Sequence, residues 1–251
     1  MTNTALFDLS GSTALVTGAG RGIGRAIAVG LARAGANVVL HGRSAAALDD
    51  VAREVDKSRR ESVRWIADLS CPERIPEMAG DLPEIEILVN NAGVIRRAPT
   101  ATHSYEVWRD VLTVNLDSVF QLTRVVGTGM VERGHGKIIS IASLLSFQGG
   151  LNVPGYTASK HAIAGLTKAL ANEWTSRGVQ VNAIAPGYIA TDNTRPLRED
   201  PQREPEIRQR IPAERWGRPE DLVGAAVFLA SPASNYVAGH VLVVDGGWMA
   251  R

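Results

Sequence analysis

Seven short runs rich in β-branched and aliphatic residues punctuate this chain: STALVT (Ser12 to Thr17), NVVLH (Asn37 to His41), SVRWIA (Ser62 to Ala67), EILVN (Glu86 to Asn90), KIISIA (Lys137 to Ala142), VQVNAIA (Val179 to Ala185) and HVLVVD (His240 to Asp245). Each has the length and composition of a strand. Between them lie segments with helical spacing, such as IGRAIAVGLARAG. Strands alternating with helices imply βαβ units, and therefore an α/β fold: a Rossmann-type, doubly wound parallel sheet of about seven strands flanked by helices. In that class a ligand sits beyond the carboxyl ends of the strands. The residues just after each run are where function is to be sought.

The 251 residues suffice for a sizeable core, and no Ser/Gly-rich or Pro-rich linker divides them, so one domain over 1–251 is expected. The most polar stretch, Thr191 to Arg210, holds three prolines and many charges. It is either disordered or a mobile flap over a ligand, and its place just after a strand favours a flap at 191–211. With 27 basic and 26 acidic side chains and no basic block, nucleic acid is not an expected partner. The single cysteine, Cys71, rules out an internal disulfide and a multi-cysteine metal site. It fits a reducing, cytoplasmic setting. His103, His135 and His161 show no ligand spacing, so no metal is expected.

The N-terminal MTNTALFDLSGSTALVTG has no basic n-region and is interrupted by Asp8, which argues against a cleaved signal peptide. The uncharged stretch from Ile138 to Ser159 is long enough to resemble a membrane span. Its middle holds Gln148, Gly149, Gly150, Asn152, Pro154 and Gly155, so it reads instead as a buried strand, a polar loop and a helix start.

After the first run comes TGAGRGIG, Thr17 to Gly24, opening a long helical segment. Gly18, Gly22 and Gly24 allow a tight turn and a close backbone approach to a pyrophosphate at the helix N-terminus. The spacing is GxxxGxG rather than GxGxxG, and a plain strand-to-helix turn would use the same glycines. After the second run the sequence is LHGRS, Leu40 to Ser44. A carboxylate there would bind a ribose 2′-hydroxyl, whereas an arginine suits a 2′-phosphate. Arg43 therefore points to NADP(H) over NAD(H), with Arg21 a second candidate cation. A solvated arginine at a helix start is the competing reading.

GYTASKHAI, Gly155 to Ile163, sets Tyr156 and Lys160 four residues apart. On a helix they share one face, where an ammonium can favour a phenolate. Together with ADL (Ala67 to Leu69), NNAG (Asn90 to Gly93), Asn115 in TVNL, Ser143 in IASLLS and PGYIAT (Pro186 to Thr191), these motifs resemble the classical short-chain dehydrogenase/reductase family over nearly the whole chain. Within it, ASLLSFQGGLNVPGYTASK, ANEW, NAIAPGYIATDNT, IPAERWG and the terminal DGGWMAR look most like the sugar-acid enzymes. One departure is a short segment between ADL and EILVN, with Pro72, Pro76 and Pro83, where a truncated helix is expected.

The resemblance implies a catalytic group of Asn115, Ser143, Tyr156 and Lys160. It implies that Gly18, Arg21, Gly22, Ile23 and Gly24 form the phosphate loop, with Arg43 and Ser44 beside it, and that Asp68 and Leu69 border the adenine. Asn91, Ala92 and Gly93 would line the cofactor, and Pro186, Gly187, Ile189 and Thr191 would touch its nicotinamide side, as would Tyr156 and Lys160. A homotetramer is implied as well.

Moving a hydride to or from a secondary alcohol also moves a proton on its oxygen. A free Tyr titrates near pH 10, so Tyr156 needs the Lys160 cation to reach the phenolate nearer neutrality. Ser143 would hold the substrate oxygen, and Asn115 a water that links Lys160 to solvent. Arg96 and Arg97 follow NNAG, and one of them would pair with the carboxylate of a sugar acid, Arg96 being slightly favoured. Adjacent residues of an extended segment point opposite ways, so only one is expected to do so. Gln148 and Asn152 would reach sugar hydroxyls or serve the turn. The leading expectation is thus an NADP(H)-linked oxidoreductase acting on a small sugar acid. A 3-oxoacyl thioester reductase and a non-catalytic nucleotide-binding regulator are the alternatives.

Overall fold

The computed structural model describes residues 3–251; Met1 and Thr2, where the stretch expected to carry no signal peptide begins, lie outside the described residues. All seven predicted runs are strands: β1 (Thr13–Val16), β2 (Asn37–Gly42), β3 (Ser62–Ile66), β4 (Ile87–Asn90), β5 (Gly136–Ile141), β6 (Val179–Pro186) and β7 (Val241–Val244). They pair in parallel in the order β3-β2-β1-β4-β5-β6-β7. The order reverses between β1 and β4, which opens a crevice at their carboxyl ends.

Nine α-helices connect the strands among the described residues: α1 (Gly22–Arg33), α2 (Ala45–Asp56), α3 (Ile75–Met78), α4 (Tyr105–Leu112), α5 (Ser118–Arg133), α6 (Pro154–Trp174), α7 (Arg195–Arg198), α8 (Arg203–Arg210) and α9 (Val223–Ala230). Successive strand residues point to opposite faces, and both faces are covered. Ala14 and Val16 of β1 join one core with Ile27 and Leu31 of α1, Leu48 of α2 and Leu229 of α9. Leu15 joins the other, with Ile75 of α3, Leu122 and Met130 of α5 and Leu170 of α6. Leu15 is fully buried, which stabilises the fold by about 2 kcal/mol.

The prolines at 72 and 76 bear out the truncated helix: a single 3-10 turn, Pro72–Arg74, leads into the four residues of α3. The uncharged stretch divides as expected, into β5, a loop with a 3-10 turn at Leu144–Ser146, and α6 entered through Pro154. The polar segment after β6 forms a 3-10 turn at Asp192–Thr194, then α7 and α8. No helix among the described residues is long and apolar enough to cross a membrane.

Candidate active site

The glycine loop is built around the end of β1. The Thr17 hydroxyl donates to the Val89 carbonyl at 3.3 Å and accepts from the N–H groups of Asn91 and Ala92 at 2.9 Å each. That uses its whole hydrogen-bonding capacity. Asn91 Nδ2 in turn donates to the carbonyls of Thr17 (2.8 Å) and Gly18 (3.3 Å), tying β4 to the loop. Gly22 has φ +56°, a left-handed conformation. A Cβ on Gly24 would lie 2.3 Å from the Gly18 oxygen and 2.4 Å from Asn91 Nδ2, so only glycine fits there. No side chain caps the N-terminus of α1 and no acidic residue occupies its first turn, which leaves its N–H groups to an anion.

A buried histidine holds the loop from the other side. The Gly18 N–H donates to His41 Nδ1 at 3.2 Å, so the ring proton is on Nε2, which donates to the Ala67 carbonyl at 3.2 Å. The ring packs on Trp65 with centroids 4.9 Å apart. Burial pulls the His41 pKa down to about 4, so the ring is neutral.

Around this loop the expected partners fall as follows. Ile23 lies in the first turn of α1 and packs against the core. Arg43 is exposed just past β2 and makes no ion pair among the described residues, and Ser44 is the N-cap of α2. Asp68 stands past β3 beside buried Leu69; its carboxyl is held below the usual range, first by the Ser70 N–H and further by the Arg43 charge. Thr191 lies against Gly22, where an added Cβ would sit 3.5 Å from its methyl group. Arg21, the second candidate cation, is paired with Asp192 at 2.9 Å, across to the segment after β6.

Ser143 follows β5 and caps the Leu144–Ser146 turn, its Oγ accepting from the Leu145 N–H at 3.1 Å. Its proton is directed at the Tyr156 phenol. Tyr156 and Lys160 stand one turn apart in the first turns of α6, for which Pro154 supplies the start. Lys160 is buried; its amine donates to the Ile141 carbonyl at 2.6 Å and lies 5.5 Å from the centre of the Tyr156 ring. Burial lowers the Lys160 pKa to about 8. Burial pushes the Tyr156 phenol up, while a hydrogen bond from Ser143 and the charge of Arg97 act to lower it.

Asn115 lies in one turn of π-helix, Thr113–Asp117, inserted between α4 and α5. Its Oδ1 accepts from the Val94 N–H (2.8 Å), and its Nδ2 donates to the Val94 carbonyl (2.9 Å) and to Ser159 Oγ (3.2 Å). The side chain staples the segment after NNAG to α6, and Gly93 sits directly beside it. Both amide hydrogens and one lone pair of the oxygen are thus engaged.

Ser143 and Tyr156 open onto a cleft of about 460 Å³. Its wall includes Pro186 and Gly187 past β6, with Gln148 and Asn152 from the loop before α6. Asn152 also serves the turn: its φ is +62°, and its carbonyl accepts from the Ala98 N–H at 3.0 Å. The preference for Arg96 is reversed. Arg96 is paired with Asp110 at 3.0 Å, whereas Arg97 lines the cleft and donates to the Asn193 carbonyl at 3.1 Å. The opposite directions of neighbouring residues explain why only one enters.

Sequence reasoning missed Tyr188, Arg203, Arg210 and Trp248 in the same wall. Trp248 was within reach of the strand-end rule, since it follows β7. The cleft lining has three arginines and no carboxylate side chain. At the amino ends of β4 and β5, far from this crevice, Glu84, Glu86 and His135 bring ligand atoms within 4.8 Å of one another despite their lack of sequence spacing. Both carboxylates are already engaged, Glu84 with Arg133 at 3.0 Å and Glu86 with the Thr13 N–H at 2.6 Å.

The family model described as enoyl-(acyl carrier protein) reductase matches residues 18–249. Over 248 residues, 98% of this chain and 97% of the relative, the sequence is 55% identical to 2-dehydro-3-deoxy-D-gluconate 5-dehydrogenase of Bacillus subtilis. A crystal structure described as an NAD(P)-dependent gluconate 5-dehydrogenase from Beutenbergia cavernae, with NADP bound at low occupancy, is 54% identical with a TM-score of 0.94, covering 98% of this chain and 100% of that one. A gluconate 5-dehydrogenase from Burkholderia cenocepacia, in complex with NADP and tartrate, is 39% identical with a TM-score of 0.92 over 99% of both chains. Likeness of this extent, in sequence and in backbone, makes the chain a member of the short-chain dehydrogenase/reductase family.

Proposed function

We propose that the protein is an NADP(H)-linked oxidoreductase that interconverts a secondary alcohol and a ketone on a sugar acid of the 3-deoxy-keto-hexonate or gluconate type. The observation that carries this reading is a cleft that joins Ser143 and Tyr156 to arginine side chains and to no carboxylate. The names of the similar proteins agree with it.

The glycine loop fits a dinucleotide pyrophosphate: Gly24 lets the loop close tightly on Gly18 and Asn91, and the N-terminus of α1 has no side-chain cap and no acidic residue in its first turn, which leaves its N–H groups to an anion. Arg43 would take a 2′-phosphate, with Ser44 beside it; NAD(H) would leave that arginine without its partner. Asp68 and Leu69 would border the adenine. Asn91, Ala92 and Gly93, then Pro186, Gly187, Ile189 and Thr191, would line the rest. When bound, the nicotinamide supplies or accepts the hydride.

The chain's own part is the proton. Burial keeps the Tyr156 phenol protonated at neutral pH, which suits donation to a substrate oxygen during reduction. For oxidation the phenolate is needed, and the nearby cations of Lys160 and Arg97 lower its energy. Lys160, at about 8, still holds its proton at neutral pH. Ser143 orients the substrate oxygen beside the phenol. By family resemblance Asn115, in the π turn, holds a water that links Lys160 to solvent. Arg97 contacts the substrate, and Gln148 and Asn152 bond its hydroxyls.

The segment 191–211 serves as a mobile flap over the cleft. The same reading makes the protein one dinucleotide-binding and catalytic domain, cytoplasmic and homotetrameric, on the strength of the family resemblance and of the lone Cys71. The test is a panel of keto-deoxyhexonates, gluconate and acetoacetyl thioesters assayed with NADPH or NADH, or with their oxidised forms for gluconate. A sugar acid with NADP(H) should give the highest kcat/KM, and Arg43→Ala should cut the preference for NADPH over NADH roughly 10- to 100-fold, the worth of a charged hydrogen bond. Faster turnover of the thioester would overturn the substrate class. An unchanged cofactor ratio in Arg43→Ala would overturn the role of that arginine.

A further inference from the structure

The three arginines of the cleft differ in what already holds them. Arg203 faces Glu206 of its own helix at 3.8 Å, and Arg97 donates to the Asn193 carbonyl. Arg210 has no carboxylate partner among the described residues; its guanidinium lies over the Trp248 ring, 4.0 Å from the centroid. Stacking engages only the flat face of a guanidinium. Its in-plane N–H groups stay free to pair with a carboxylate in two-pronged fashion.

The end of the chain is what fixes this platform. Asp245 accepts from the N–H groups of Gly247 and Met249 at 2.8 Å each, closing the turn that presents Trp248. Trp248 is 5% exposed; its Nε1 donates to Gln148 Oε1 at 3.1 Å, and its ring packs on Tyr188 at 4.7 Å. Arg251 donates to the carbonyls of Gln209 (2.8 Å) and Arg210 (3.1 Å), which have no helical partner at the C-terminus of α8. Tail, helix end and cleft wall are thus one hydrogen-bonded assembly.

The two unpaired arginines stand at different places in the cleft. Arg210 lies over Trp248, which packs on Tyr188, and its charge acts on Tyr188 together with that of Arg203, whereas the charge of Arg97 acts on the Tyr156 phenol. A chain-like sugar acid that reacts several carbons from its carboxylate needs its cation away from the phenol. We propose that Arg210, carried on Trp248 and held by Arg251, is the anchor for the substrate's carboxylate and the residue that selects acids over uncharged sugars. Arg97 then serves the reacting end. Trp248 and Arg251 are positioning residues that act through Arg210.

This inference rests on the sugar-acid reading, and kinetics can separate the two. The holoenzyme would be assayed with NADPH on a keto-hexonate and on the uncharged ketose of the same length. Arg210→Gln should raise KM for the acid roughly 10- to 100-fold while changing kcat less than about threefold, with little change on the ketose. Arg210→Lys should recover part of the loss. Arg251→Ala should raise the same KM by a smaller factor, and Arg251→Lys should restore it. Arg97→Gln should act chiefly on kcat. Calorimetric titration with gluconate in the presence of NADP, which reads affinity without turnover, should show the same ranking. An unchanged KM for the acid in Arg210→Gln, or equal losses on acid and ketose, would overturn the anchor while leaving the function standing. A wild-type enzyme that turns over and binds no sugar acid would overturn the function, and the anchor with it.

Discussion

The two ends of the crevice are built in opposite ways. At the glycine loop the buried polar side chains are spoken for: Thr17 makes three hydrogen bonds, Asn91 holds two loop carbonyls, and His41 bridges Gly18 to Ala67. At the cleft end Arg97 and Arg210 meet no carboxylate among the described residues. A closed network fixes geometry before any ligand arrives, which suits a ligand that never changes. An open set of donors and cations is completed by the ligand, so substrate identity can be altered there without disturbing the loop.

Tyr156→Phe makes the largest break. It removes the one proton donor at the cleft that the reaction needs, and general acid–base groups contribute about 10²- to 10⁴-fold. We expect kcat to fall by that factor on every accepted substrate, with the thermal unfolding midpoint nearly constant because the ring and its packing remain. Stopped-flow single-turnover measurements check it directly. Unchanged turnover would show that the open end does not perform the proton transfer.

Next in size is His41, which tests whether the closed end is as tightly set as its bonds imply. Its folded pKa of about 4 lies below the ordinary histidine value of 6.5, so the unfolded chain binds the proton more readily. The stability from keeping the ring neutral is whole above pH 6.5 and is lost as pH falls through about 4. Between pH 7 and pH 5 the loss amounts to about 2 kcal/mol. His41→Gln keeps an amide donor and acceptor but does not titrate. Urea unfolding at the two pH values should therefore show an acid loss in the wild type that the variant lacks. Equal acid loss in both proteins would mean that His41 does not set the loop in the neutral form.

The strands were legible because the central ones, β1, β2, β4, β5 and β6, are largely buried and read as apolar runs, while β3 and β7 at the sheet edges still carry β-branched and aliphatic residues. Strand ends located Gly18, Arg43, Asp68, Asn91, Ser143 and Gly187 for the same reason. What stayed hidden depends on distance or direction. Nothing local decides between Arg96 and Arg97, since which of two neighbours faces a cleft follows from the path of the backbone. The π turn at Asn115 is set by its contacts with Val94, 21 residues away, and not by helix propensity. Arg210 and Trp248 meet only because the tail crosses the end of α8. Resemblance supplied the roles of Asn115 and Lys160, but not that the Asn115 amide bridges Val94 and Ser159 or that the Lys160 amine donates to the Ile141 carbonyl.

The smallest effect is expected where the two ends touch. Arg21 of the loop and Asp192 of the segment after β6 form an ion pair, but both side chains are well exposed, 75% and 43%. Exposed pairs are worth about 0–1 kcal/mol, because water screens the charges and two side chains must be held still. Asp192 also pairs with Arg195, so it is not left alone when Arg21 is removed. Arg21→Ala should shift the thermal midpoint by no more than about 2–4 °C and raise the Kd for NADPH less than about threefold. Both follow from thermal melts and from fluorescence titration of the bound nucleotide. A rise of tenfold or more would make Arg21 a phosphate ligand in its own right, released from Asp192 when the nucleotide binds. The segment after β6 would then be latched by the empty loop and freed by the filled one, and the two ends of the crevice would no longer be independent.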